Sequence, residues 1–195
     1  MLGRFDENKL RIMHKIFIAD IFGRTPELED LTYSIGGEFD IIDPYDGRLI
    51  DFADESEAYI HFMDSVGLNR YCNILMTKLK SVETPTLLIG FSVGASALWK
   101  ILDNLNAECI TSVICFYGSQ IRYHQNVVPS VPVEFVVPKF EPGFNIDKFA
   151  QNMSKKSNVN IYKTNFLHGF MNSLSKNFNH GGYKEYIEWI CANSS

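Results

Sequence analysis

The 195-residue sequence contains no apolar run long enough to span a membrane, and no signal peptide is recognisable. It also lacks a basic block or stripe, since 18 basic residues are set against 23 acidic ones for a net charge of −5. These absences argue against a membrane or a nucleic acid as partner. No internal repeat, low-complexity tract or linker divides the chain. We therefore predict one domain over residues 1–195, with residues 1–13 as a flexible leader.

Paired cysteines and metal-binding motifs are missing as well. The chain has 4 cysteines, none with CxxC or zinc-type spacing: Cys72, Cys109, Cys115 and Cys191. We therefore expect reduced, mostly buried thiols and a cytoplasmic protein. No pattern typical of a cofactor or a metal site is present, and we expect neither.

The sequence does contain an alternation of apolar, strand-like runs with stretches of helical period. Strands are predicted at residues 15–19, 39–42, 87–89, 110–118, 131–137 and 158–162. Helices are predicted at residues 26–35, 55–66, 68–80, 93–105, 144–153 and 182–192. This alternation predicts an α/β protein whose mostly parallel sheet is covered by helices on both faces.

One motif stands at the junction of the third strand and its helix. Residues 90–94 read Gly-Phe-Ser-Val-Gly, the Gly-x-Ser-x-Gly form of a nucleophile elbow. Such a turn holds its serine in a strained conformation, and strand and helix pass so close that Gly90 and Gly94 leave no room for side chains. Ser92 is therefore the candidate nucleophile.

A serine hydroxyl needs a base within hydrogen-bond reach, and a third group to orient that base. In sites built on a nucleophile elbow, the chain order is serine, acid, histidine. His168 follows the last predicted strand and precedes Gly169, so it fits that order best. The other histidines precede a strand, lie within or beside a helix, or come before any suitable acid: His14, His61, His124 and His180.

The acid should follow the strand at 131–137. Glu141 does so after a short loop and is the preferred candidate. Asp147 lies further on, inside a predicted helix, and is held in reserve. Glu134 lies within the strand itself.

When serine attacks a carbonyl group, negative charge develops on the carbonyl oxygen, and this oxyanion also needs hydrogen-bond donors. The N–H of Val93 follows the nucleophile and lies at a helix N-terminus, where the dipole favours negative charge. A second donor should come from the loop after an early strand, here residues 20–23 (Asp-Ile-Phe-Gly), with Ile21 as the candidate. Phe22 could instead form an apolar wall of the site.

Five motifs in order resemble the dienelactone hydrolase family of α/β-hydrolases. They are residues 20–23, 43–45 (Asp-Pro-Tyr), 90–94, 116–118 (Phe-Tyr-Gly) and 168–170 (His-Gly-Phe). The resemblance covers roughly residues 15–190. It implies a three-layer α/β-hydrolase fold without a large cap domain. It also implies a substrate pocket that includes Asp20, Phe22 and Tyr117.

The chain departs from that family at three places. Ser92 replaces the cysteine of the enzymes that give the family its name, and Asp20 replaces a glutamate that contacts the thiol in them. Residues 138–141 replace the family's Gly-x-x-Asp segment around the triad acid.

These departures favour a generic esterase or thioesterase over true dienelactone hydrolysis. The expected function is hydrolysis of a small ester, lactone or thioester by Ser92, His168 and Glu141. The substrate would be a small molecule, and the protein a monomer or a homodimer. The alternative is a non-catalytic member of the fold that binds a ligand or a partner.

Overall fold

A computed structural model describes residues 13–105 and 108–194. The strands are β1 (His14–Ile18), β2 (Phe39–Ile42), β3 (Thr86–Phe91), β4 (Ile110–Phe116), β5 (Val133–Val137) and β6 (Val159–Lys163). The helices are α1 (Pro26–Ile35), α2 (Glu55–Ser65), α3 (Gly67–Leu79), α4 (Val93–Ile101), α5 (Ile146–Met153) and α6 (His180–Ala192). The predicted leader lies outside the described residues except for Met13. Within the described ranges, no helix is long and apolar enough to cross a membrane.

The six strands form one sheet in the order β2-β1-β3-β4-β5-β6, and every neighbouring pair is parallel. The chain runs outward from β1 to β2, returns to β3 on the other side of β1, and continues outward to β6. The direction of winding therefore reverses between β1 and β3. In open α/β sheets the crevice for a ligand lies at such a reversal, at the carboxyl ends of the strands.

Side chains of the sheet alternate between two apolar layers. On β3, Leu88 faces one layer, while Leu87 and Ile89 face the other. Helices α2 to α5 pack into the first layer, and α1 and α6 into the second. Alternation along a strand that is buried on both faces is the expected result of a two-residue side-chain period. The three-layer α/β fold predicted from the sequence is confirmed.

Helix α1 begins and ends where its sequence predicts. Thr25 is its N-cap, and the Thr25 hydroxyl accepts a hydrogen bond of 3.2 Å from the Leu28 N–H. Pro26 occupies the first helical position, where its missing N–H costs nothing. Gly36 ends the helix with a φ of 74°, in the region that favours glycine.

Most predicted boundaries lie within two residues of the observed ones, and the largest difference is at the end of α4. Helix α4 ends at Ile101 rather than at residue 105, because the Leu102 N–H bonds to the Trp99 carbonyl three residues back and the chain tightens into turns. The predicted strand at 110–118 ends at Phe116. It is followed by an unpredicted 3₁₀ turn, Ser119–Tyr123.

The cysteines are less buried than predicted. Cys72 and Cys115 are buried, Cys109 is half-buried and Cys191 is exposed, and all four are free thiols. Cys191 lies on α6, and its thiol donates to the Ile35 carbonyl at 3.5 Å. The expectation of mostly buried thiols therefore holds for two of the four.

Helix α4 lies against the end of β1 at Gly94. A Cβ at this position would lie 2.3 Å from the Ala19 carbonyl oxygen and 2.6 Å from that of Ile18. Both are backbone atoms of a buried strand end, which cannot move aside as a flexible side chain would. Only glycine permits this approach.

We expect Gly94→Ala to destabilise the fold by about 2–3 kcal/mol, because the new methyl group overlaps backbone oxygen atoms. In an ordinary helix the same substitution stabilises by about 1 kcal/mol. Urea unfolding measures the difference. The control is Gly181→Ala in the first turn of α6, where a Cβ comes no closer than 3.3 Å to the end of the Asn179 side chain. A Gly94→Ala protein as stable as the wild type would contradict the packing described.

Candidate active site

Ser92 lies on the sharp turn between β3 and α4. Its φ of 51° and ψ of −113° are strained for a residue with a side chain. The turn is held by the Ser92 N–H, which donates to the Phe116 carbonyl at 3.0 Å, and by the Ser96 N–H, which donates to the Ser92 carbonyl at 3.0 Å. The Ser92 hydroxyl does not cap α4. It is therefore free to interact with the loops at the carboxyl edge of the sheet.

His168 lies in the loop between β6 and α6. Its Nε2 is 2.8 Å from the Ser92 Oγ. The Tyr117 ring lies against the imidazole with ring centroids 4.9 Å apart. The side-chain amide of Asn177 donates to the His168 carbonyl at 2.9 Å. Both the ring and the backbone of His168 are thus held in place.

Glu141 lies in the loop after β5 and is 8% exposed. Its Oε1 accepts a hydrogen bond from His168 Nδ1. This contact leaves Nε2 unprotonated and able to accept the Ser92 O–H. Of the acids considered from sequence, Asp147 pairs with Lys163 at 2.7 Å on an exposed surface, and Glu134 accepts from Asn160 at 3.0 Å.

The two candidate oxyanion donors both border the crevice. Val93 is the first residue of α4, and Ile21 lies in the loop after β1. Within the described chain, neither backbone N–H donates a hydrogen bond to another residue. The hydroxyl of the buried Tyr45 donates to the Ile21 carbonyl at 2.6 Å and so anchors the loop after β1.

An open cleft of about 650 Å³ joins these residues. It is lined by Ile21, Ser92, Val93, Glu141 and His168, among others. The remaining walls combine exposed apolar groups with a few charges: Tyr59, Met63, Tyr123, Glu55, Arg122 and Lys176. Across the described residues, no group of three or more His, Cys, Asp or Glu side chains is arranged to hold a metal ion.

Three residues expected in the substrate pocket do not line this cleft. Phe22 is 5% exposed and packs into the apolar layer beside the sheet. Asp20 and Tyr117 line a separate cavity of about 20 Å³, large enough for a single water molecule. The Asp20 carboxylate accepts the Phe22 N–H at 2.9 Å and does not border the cleft that contains Ser92.

Two asparagines in the loop after β6 were not singled out by sequence reasoning. Asn177 fixes the His168 carbonyl, as described above. The Asn172 side-chain amide donates to Asp20 Oδ2 at 2.7 Å. Asn172 and Asp20 are 152 residues apart in the chain, and no local pattern signals their contact.

Burial raises the pKa of the Asp20 carboxyl above its ordinary value of 3.8. The hydrogen bonds from Asn172 and Phe22 and the nearby His168 oppose this shift, and Glu55 adds to it. Burial also raises the pKa of the Tyr117 phenol, so this group stays neutral against the His168 ring.

We expect Asp20→Asn to lower the free energy of unfolding, and we expect this difference from the wild type to become smaller as the pH rises from about 4 to about 7. The folded state holds the Asp20 proton more tightly than the unfolded chain does, so the wild type loses stability as Asp20 ionises. The asparagine variant has no such loss. Urea unfolding of both proteins across this range measures the difference. A cost that is constant or grows with pH would contradict the raised pKa.

No family model matches the chain. The uncharacterized protein YczH of Bacillus subtilis (strain 168) is 28% identical over 147 residues, which are 72% of this chain and 71% of YczH.

Two solved structures share the fold. A dienelactone hydrolase-like promiscuous phosphotriesterase from metagenomic libraries matches with a TM-score of 0.63 at 12% identity, over 93% of this chain and 85% of that one. The dienelactone hydrolase of Anabaena variabilis matches with a TM-score of 0.61 at 11% identity, over 92% and 84% of the two chains. The chain therefore has the α/β-hydrolase fold, and the resemblance to dienelactone hydrolases is confirmed at the level of the fold.

Proposed function

We propose that the protein is a serine hydrolase that cleaves a small ester, lactone or thioester. The observation that carries this proposal is the chain of contacts from the Ser92 hydroxyl to His168 Nε2, and from His168 Nδ1 to the buried Glu141 carboxylate. Each residue comes from a different loop at the carboxyl edge of the sheet, in the order serine, acid, histidine. These contacts count against a non-catalytic role, for which no such alignment is needed.

In the proposed reaction, His168 Nε2 takes the Ser92 proton while Oγ attacks the substrate carbonyl. The carbonyl oxygen becomes an oxyanion, and the N–H groups of Val93 and Ile21 donate to it. Glu141 stabilises the positive charge on His168 without taking its proton. His168 then gives the proton to the leaving group, leaving an acyl group on Ser92, and water releases this group by the same steps.

The open cleft supports a small substrate. No cap domain covers it in the described parts of the chain, so water reaches its outer walls. Tyr59, Met63 and Tyr123 offer apolar surface for an acyl or alcohol group near the nucleophile. The proposed chemistry needs neither a metal nor a cofactor. The four free thiols support a cytoplasmic location.

Ser92→Ala should abolish labelling by a fluorophosphonate probe and lower kcat on p-nitrophenyl acetate by about 10³-fold or more, because no nucleophile remains. Gel fluorescence and steady-state kinetics measure the two effects. The matched control is Ser81→Ala, which should label like the wild type. Ser81 is an exposed serine between α3 and β3, at the amino ends of the strands. Equal labelling of the wild type and Ser92→Ala would refute the assignment of the nucleophile.

Glu141→Gln should lower kcat by about 10³- to 10⁴-fold with little change in KM. The amide can neither fix the tautomer of His168 nor stabilise its positive charge. Kinetics on the same ester test this. Asp147→Asn serves as control, since it removes an exposed carboxylate of the neighbouring segment and should leave kcat unchanged. A Glu141→Gln enzyme within tenfold of the wild type would exclude Glu141 as the triad acid.

A further inference from the structure

We infer that Asp20 and Asn172 form a latch that holds the oxyanion loop (residues 20–23) at a fixed distance from the histidine loop (residues 164–179). Asp20 and Asn172 are then positioning residues for Ile21 and His168, and neither touches the substrate. The catalytic consequence rests on the proposed function, whereas the coupling between the two loops does not.

The Asp20 carboxylate divides its two oxygens between the loops. Oδ1 accepts the Phe22 N–H at 2.9 Å and so shapes the oxyanion loop from within. Oδ2 accepts the Asn172 side-chain amide at 2.7 Å and so reaches the histidine loop. Ile21, whose N–H is the proposed donor, lies between Asp20 and Phe22. Its orientation therefore depends on where the carboxylate is anchored.

Asn172 is itself fixed on the side of the histidine loop. Its backbone N–H donates to the Gly169 carbonyl at 2.9 Å, one residue from His168. Its side-chain oxygen accepts the Leu174 N–H at 2.9 Å. With that oxygen occupied, the amide nitrogen must face Asp20. A displacement of Asn172 would thus be passed to Gly169 and to the base.

The latch is built on a carboxylate, whose burial costs free energy. Burial opposes ionisation of Asp20, as its raised pKa shows. An apolar pair would fill this space at lower cost, but it would fix neither the distance nor the angle between the loops. Directional hydrogen bonds do fix them, and a misplacement of about 1 Å in such a site can cost about 100-fold in rate.

Three variants test the latch. Asp20→Asn keeps one acceptor oxygen but turns an amide N–H₂ toward one of its two donors, so one hydrogen bond is lost. Asn172→Asp sets two carboxylates against each other. The double variant D20N/N172D restores all three hydrogen bonds and reverses the direction of one. The amide at position 20 now donates to the carboxylate at position 172, while the Phe22 and Leu174 N–H groups keep their acceptors.

We expect each single variant to lower kcat on p-nitrophenyl acetate by about tenfold or more while KM stays within about threefold, because the oxyanion donor acts only in the transition state. The double variant should return kcat to within about threefold of the wild type. Asp147→Asn, which removes an exposed carboxylate bonded at a similar 2.7 Å, should change neither constant. Wild-type kcat in both single variants, or a folded double variant without recovery, would overturn the inference.

Amide hydrogen exchange gives a readout that needs no activity. Each single substitution should raise exchange in both loops, including the loop that carries no substitution, and the double variant should restore protection. Faster exchange confined to the substituted loop would overturn the latch. A wild type that neither hydrolyses esters nor reacts with a fluorophosphonate would refute the proposed function, while the exchange result would still decide the latch.

Discussion

The close approach of α4 to the end of β1 is the constraint on which the site depends. With no side chain at Gly94, the first turn of the helix lies against the carbonyl oxygens of Ile18 and Ala19. This contact places the start of α4 against the end of β1, so Val93 and Ile21 border the same cleft. Two backbone N–H groups from distant parts of the chain therefore border one cleft with Ser92. A larger residue at position 94 would move the helix and both candidate donors apart.

Much of this arrangement could be predicted because it follows from local patterns and chain order. A parallel sheet gathers the loops after its strands at one edge, so Ser92 after β3, Glu141 after β5 and His168 after β6 had to come near one another. The order of these residues selected His168 from five histidines. Apolar runs, Thr25-Pro26 and the glycines then gave most element boundaries within a few residues.

Side-chain direction could not be predicted in the same way. The sequence places Asp20 in the correct loop, but its carboxylate faces Asn172, a residue 152 positions away, rather than the cleft. Phe22 likewise lies in the predicted loop but packs into the apolar layer, and Tyr117 lines the small cavity beside Asp20. A local pattern determines which loop a residue occupies, whereas the contacts that orient its side chain come from tertiary neighbours.

The two acids near the nucleophile differ in what their partners can do. Glu141 faces the imidazole of His168, which can take a proton and become positive. The negative charge of Glu141 is then compensated by the positive charge of the protonated ring. Asp20 faces an amide and a backbone N–H, neither of which can change charge. A carboxylate paired with neutral donors has fixed geometry and no proton to exchange with its partners. In the proposed mechanism, this difference gives the electrostatic role to Glu141 and leaves Asp20 a positional one, although both contact the same histidine loop.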